Sequence, residues 1–411
     1  MSQREQIAMA WQACAFFIGA ALPLKMFGPA VMFAWLFLAL VFGLIAMGRQ
    51  MLSLDLWRET VTSTGFKAGL GVLLALALAS ALGIDPSYSG KRLTDMALVG
   101  FLALPFYVIL RTMPAQNLTT ALSTLAWFTL GISALTIIDA LANSHRLSFA
   151  IHGKRWESAY RLNEVSSLLA VLLPWAWAWL IKRHREGDWW VKWYGLPLAV
   201  MGFVALLIAG GRAGWVGGFA ALAVFMVLAG RWHGLVLHTR HWLAMPFVLV
   251  AGVVGYGLAA GWELVINRLK FWNEPYQGGP LSGRLDIWKM AWGHMFDHPF
   301  TGIGLSAFRK LPVPADPFPS NAHPHNWALE VALETGLVGS VLIAVLLFVL
   351  ARYLWRHAQV NLYALAGGCG LVGFFVSGLA NFSLFQAWWT TFFVITALLA
   401  VRVCRTERRY D

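Results

Sequence analysis

The sequence predicts an all-α polytopic membrane protein with about twelve transmembrane helices, and three observations carry that prediction. First, 59% of the 411 residues are hydrophobic and only 12% are charged, far from the balance of a water-soluble domain. Second, apolar residues recur in blocks of about 20, the length a helix needs to cross a hydrocarbon core of about 30 Å. Third, runs such as LALALASALG and VLIAVLLFVL lack the alternation of a barrel strand. In lipid only helices and closed barrels satisfy every backbone polar group, so helices remain.

In chain order the spans fall near residues 10–24, 29–47, 66–84, 94–112, 119–141, 164–181, 193–210, 214–230, 242–261, 328–351, 362–381 and 385–403. AWQACAFFIGAALPL reads as a retained first span rather than a signal peptide, since no small-x-small cleavage site precedes a soluble domain. This divides the chain into nine helices with short loops over 1–261, a large loop over 262–327, and three helices with a tail over 328–411. Cys14, Cys369 and Cys404 lie far apart, without the spacing of a zinc site or a disulfide framework.

Loop charge sets the expected orientation. With the N-terminus inside, the short cytoplasmic segments carry Arg49, Arg58, Arg111, the KRHREGDWWVK loop, Arg231, Arg240, Arg352, Arg356 and the RVCRTERRYD tail. Both termini are then cytoplasmic. Two outer loops are nevertheless rich in cations, residues 145–164 and roughly 262–325. The second is too long for a connector. Its LDIWKMAWGHMF segment places Leu285, Trp288, Trp292 and Phe296 at helical spacing, an amphipathic pattern suited to the membrane surface or the helix bundle. The net charge of +12 is split between faces and interleaved with spans, which points to membrane lipids and phosphorylated lipids as partners and away from nucleic acid.

Four outward-facing groups can do chemistry. One is Arg146, Lys154, Arg155 and Arg161, followed by Asn163 and Glu164. The second is Arg212 in IAGGRAGWVGG, and the third is Arg284 in SGRLDIW. The fourth is SNAHPHNWALEVALETG, with His323, His325 and Asn326 before a helix and Glu330 and Glu334 in its first turns. Singly, each has a plain reading. A boundary arginine snorkels to head groups, Gly214 and Gly218 form a helix-packing GxxxG, and a loop histidine is solvated. Together, arginines from separate segments make a multidentate anion site, because guanidinium forks match phosphate oxygens and stay charged. An imidazole beside such a site is a usable base near neutral pH, and a neutralised diphosphate leaves without a proton donor. His325 is the preferred base, since it adjoins the helix, where Asn326 and Glu330 can fix it.

SGRLDIWKMAWGHMFDHPFTGIGLSAF resembles the R-x-x-x-W…HP-x-x-G-x-G-x-x-x-F stretch of the O-antigen ligase and polymerase superfamily, and HNWALEVALETGLVG resembles its HN-x-x-L-E-x-x-x-E-x-G-x-x-G continuation. GGRAGWVGG is similar to the S-R-G-x-W-x-G segment, with Gly211 for serine and Ala213 for glycine. The resemblance implies a GT-C-type membrane glycosyltransferase acting on the periplasmic side of the bacterial inner membrane. It implies an undecaprenyl-diphosphate-linked glycan as donor, no metal and no other cofactor. In the ligase (WaaL) group the acceptor is lipid A-core, and transfer inverts the anomeric carbon. Carried over, Arg284 and Arg212 hold the diphosphate and His325 activates the acceptor. Arg161 corresponds to an arginine before a mid-chain helix, although its R-L-N-E context departs from the commoner P-N pairing. Arg155, Asn326, His323 and Glu330 complete the expected substrate site. Polymerases and protein O-oligosaccharyltransferases share this layout; one large late loop favours a ligase. A transporter for a lipid-linked sugar would want ionisable residues near mid-membrane, whereas the charges here gather at one face.

Overall fold

The computed structural model describes residues 2–141, 163–234, 284–311 and 323–405. Those residues form thirteen α-helices and no strand. They are α1 (Gln3–Leu24), α2 (Pro29–Met47), α3 (Leu54–Thr62), α4 (Thr64–Leu82), α5 (Pro86–Thr112), α6 (Ala115–Leu141), α7 (Asn163–Arg185), α8 (Trp189–Ile208), α9 (Arg212–His233), α10 (Arg284–His294), α11 (Trp327–Ala358), α12 (Leu362–Gly378) and α13 (Ala387–Val403). Nine of these, all but α3, α10, α12 and α13, are long and apolar enough to cross a membrane; α12 and α13 are apolar at 17 residues each. The chain is thus an all-α polytopic membrane protein. The span expected at 242–261 lies outside the described residues, as do Arg146, Lys154, Arg155 and Arg161.

Local chemistry sets the ends. Ser2 and Glu5 form a capping box that starts α1 seven residues before the expected 10, because a hydropathy window discounts polar turns that a cap can hold. Asp85 accepts the Tyr88 N–H, and Pro86 occupies the first turn, so α5 also starts early. Asn361 accepts from the N–H groups of Tyr363 and Ala364 at the start of α12. Gly234, left-handed at φ +59°, ends α9. Helix α3 was not expected, since it is too short and polar to register as a span.

Helix α7 is the central post: its apolar window is 83% buried, against 17% for α11 at the periphery. It packs on α6, α8, α9 and α12. Small residues permit the approach. A Cβ on Gly214 would sit 2.2 Å from Ser166 Oγ, one on Gly217 2.0 Å from Ser377 Oγ of α12, and one on Gly218 2.4 Å from Leu206 of α8. The GxxxG of α9 is thus a packing face, as in other membrane helices. Around this core α1 packs on α2 and α6, α13 on α5 and α12, and α11 on α4 and α12.

The bundle has two chemically different ends. At one meet the C-termini of α1, α4 and α12 and the N-termini of α5, α7, α9, α11 and α13, with α10 packed beside α11. At the other, the Arg402 guanidinium donates to the Met113 carbonyl at 2.6 Å, Arg185 to that of His233, and Asn361 to that of Val403 at 3.1 Å.

Candidate active site

The first two turns of α7 organise the site end. Ser166 Oγ donates to the Gly211 carbonyl at 3.0 Å. Gly211 is the N-cap of α9, so this bond fixes where Arg212, the first residue of that helix, leaves the backbone. The Trp215 indole N–H closes the same turn by donating to the carbonyls of Leu206 and Leu207 at 3.0 and 3.1 Å. Arg212 is exposed at this fixed position.

One residue further along α7, Ser167 Oγ accepts from the Asn381 side-chain amide at 2.9 Å. The Asn381 carbonyl in turn lies 2.9 Å from His325 Nδ1. A carbonyl only accepts, so Nδ1 carries the proton and Nε2 is the basic nitrogen of the ring. His325 stands at φ +53°, an unusual backbone conformation for a residue with a side chain. Its N–H donates to His323 Nδ1 at 3.1 Å, and the two rings lie 4.1 Å apart at 49°. His325 is half-buried, whereas His323 is 8% exposed.

Arg284 is the first residue of α10. Four residues on, the Trp288 indole N–H donates to the Pro324 carbonyl at 2.9 Å, between the two histidines. Residues four apart share a helix face, so the R-x-x-x-W spacing sets Arg284 one turn from the anchor that ties α10 to the histidine turn. The helix buries Ile287 and Ala291 against Ile303, Phe308 and Leu333, while Trp292 and Phe296 face outward. Of the expected stripe, Trp292 and Phe296 face outward, whereas Trp288 packs against the buried cluster, and the helix ends at His294.

The remaining expected site residues hold the scaffold. Asn326 Oδ1 accepts the N–H groups of Ala328 and Leu329 at 3.1 and 3.2 Å, capping α11. Glu330 is 1% exposed. Its two carboxylate oxygens accept from the Ser383 hydroxyl and, at 2.8 Å, from the Leu384 N–H. Burial and these two internal donors tie Glu330 to the 379–386 turn. Glu334, also buried, accepts the Ser306 N–H at 2.6 Å.

A break in α11 explains the glycine motifs. Gly336 has φ +60°, and the chain from Pro299 to Gly304 fills the gap. The N–H groups of Leu337 and Ile303 reach the carbonyls of Pro299 and Leu333 at 2.8 and 3.0 Å. A Cβ on Gly336 would fall 2.5 Å from the Phe300 carbonyl carbon, and one on Gly302 2.3 Å from that of Glu334. Only glycine permits this approach at positive φ.

Lys25 was not anticipated. It is fully buried at the end of α1 and pairs with Glu164 in the first turn of α7. Its ammonium lies 3.6 Å from the Trp388 ring centre and 4.9 Å from that of Trp389, at the start of α13. An isolated lysine in the apolar run ALPLKMFGP was the available signal. Asn381 gave none, because it acts on His325 through its backbone. Among the described residues no group of three or more His, Cys, Asp or Glu could hold a metal ion.

The site thus gathers His323, His325, Asn381, Arg212 and the buried Lys25 around the start of α7, with the first turn of α10 tied to the histidine turn. Two proteins with the curated name "Putative polysaccharide ligase", from Rickettsia conorii and Rickettsia felis, are each 24% identical to the chain over 115 residues. The alignment covers 26% of this chain and 28% of each relative, so it spans little more than a quarter of their length. Residues 197–344, from within α8 through α10 into α11, match the O-antigen ligase family model. Through that segment, which holds Arg212, Arg284 and His325, the chain is similar to the O-antigen ligase family.

Proposed function

We propose that the protein is a membrane glycosyltransferase that moves a glycan from a diphosphate-linked lipid carrier to the hydroxyl of an acceptor, as an O-antigen ligase. The observation that carries this is the set of ties between the histidine turn and the helices that bear Arg212 and Arg284: Ser166 to Gly211 and Ser167 to Asn381 to His325 on one side, Trp288 to Pro324 on the other. Guanidinium forks match phosphate oxygens and stay charged, so two arginines tied to the histidine turn can grip a diphosphate beside an imidazole. The plain alternative, head-group snorkelling, does not account for two arginines on helices tied to the same histidine turn, one directly through Trp288 and one through α7 and Asn381.

In this reading the diphosphate lies between Arg212 and Arg284, and the acceptor hydroxyl approaches His325. Nε2 takes the hydroxyl proton as the oxygen attacks the anomeric carbon. The bond from that carbon to the diphosphate oxygen breaks, and the electron pair leaves on the diphosphate, where the guanidinium groups stabilise the charge. Attack opposite the leaving group inverts the anomeric centre. Undecaprenyl diphosphate is the proposed carrier and lipid A-core the proposed acceptor. The site end is proposed to face the periplasm from the inner membrane, with both termini cytoplasmic, as the resemblance and loop charge suggest. Arg155 and Arg161, outside the described residues, are proposed as further cations of the donor site.

The test is to incubate purified protein with an undecaprenyl-diphosphate glycan and lipid A-core, with and without chelator. Glycan on lipid A-core in both samples supports a metal-independent ligase. Glycan polymer formed without acceptor would indicate a polymerase, and no product of either kind would overturn the proposal.

A further inference from the structure

We infer that His323 is a positioning residue that holds His325 in its working orientation through the His325 backbone, and not a ligand for substrate. This rests on the reading of His325 as base and adds to it the device that sets its geometry. A residue at φ +53° stays there only if its surroundings over-determine it. Two bonds do so for His325. Its Nδ1–H is held by the Asn381 carbonyl at 2.9 Å, which orients the ring, and its N–H by His323 Nδ1 at 3.1 Å, which orients the backbone.

The second bond constrains His323 as well. A backbone N–H is only a donor, so His323 Nδ1 presents a lone pair, and in the neutral ring the proton resides on Nε2. At 8% exposure the ring is buried, and Pro324 between the histidines limits the backbone while its carbonyl is fixed by Trp288. The H-P-H spacing thereby forms a two-residue loop in which the first imidazole accepts from the main chain of the second. His325 Nε2 is left with one tautomer and one direction.

Asparagine isolates the role, because its side-chain carbonyl can accept at the position of Nδ1 without an imidazole. For His323→Ala, kcat should fall about 10- to 100-fold with little change in KM for donor or acceptor, the size of effect expected when a reacting group is misplaced. His323→Asn should recover most of that loss. Nitrogen-15 NMR of histidine-labelled protein in nanodiscs supplies a readout that needs no turnover. His325 should show a single Nδ1–H tautomer in wild type and in His323→Asn, and mixed tautomers in His323→Ala. A raised KM with no rescue by asparagine, or an unchanged His325 spectrum in His323→Ala, would overturn the inference. If His325→Ala stayed fully active, the base reading would fall while the spectra still decided whether His323 positions the ring.

Discussion

The two ends of the bundle use their polar groups differently. At the end away from the histidines, cations close helices. Arg402 donates to the carbonyl of Met113, just past α5, and Arg185 to that of His233, the last residue of α9. His233 Nε2 in turn lies 2.7 Å from the carbonyl of Ala358, the last residue of α11. These are the carbonyls a helix leaves unsatisfied, at the negative end of its dipole, so the cations serve the fold. At the site end, carboxylates and amides do the tying: the Asn381 amide donates to Ser167, and the Glu330 carboxylate accepts the Leu384 N–H. The lesson is that the arginines of one end are committed to helix carbonyls, whereas the end that holds the histidines is tied by carboxylates and amides.

The largest expected contrast is in turnover. His325→Ala should lower transfer by about 10²- to 10⁴-fold, the usual worth of a general base, with an unchanged Tm. Normal turnover in that variant would sever the site end from the chemistry.

Next is the buried ion pair. Lys25→Met removes the cation paired with Glu164 and should cost about 2 kcal/mol, below the range for a fully buried pair because Glu164 is 37% exposed. Adding Glu164→Gln should restore much of that stability in denaturant titrations. A double variant no better than the single would mean that the pair is not what ties α1 to α7.

The other end follows. Arg402→Ala removes the hydrogen bond to the Met113 carbonyl and should cost roughly 1 to 2 kcal/mol or more while leaving donor KM unchanged. A raised KM there would blur the distinction between the ends.

The smallest effect is a pH dependence. The Asp85 carboxyl, ahead of α5, is held below the usual carboxylate range, first by the Tyr88 N–H, then by the Ser87 hydroxyl and Lys310. A depressed folded-state pKa stabilises above the unfolded value, and the contribution disappears as pH falls through the folded one. Asp85→Asn should therefore reduce the loss of Tm between neutral and strongly acidic pH. An unchanged slope would show that the carboxylate does not couple to folding.

Much of this was legible in the sequence, for reasons specific to each element. Long apolar runs such as VLIAVLLFVL can only be spans, and the positions of Arg212, Arg284 and His325 followed from local motifs. Cap chemistry, by contrast, moved the ends of α1 and α5, because hydropathy does not register a hydroxyl or carboxylate accepting backbone N–H groups. The tie of Glu330 to the 379–386 turn was not legible, because its partners, Ser383 and Leu384, are more than fifty residues away. Gly302 and Gly336 stand in two separate motif stretches yet act as a pair across a helix break that no periodicity announces. Lys25 and Glu164 are 139 positions apart and become one feature only when α1 and α7 meet.

The central claim is that the arginines grip the carrier and the histidine performs the chemistry. The most direct measurement is the Kd for an undecaprenyl-diphosphate glycan, taken on His325→Ala and on the double variant Arg212→Ala, Arg284→Ala. The histidine variant should bind like wild type, and the double variant should bind at least about tenfold more weakly, as expected for lost charge-assisted bonds. Unchanged binding in the double variant, with weakened binding in His325→Ala, would contradict it.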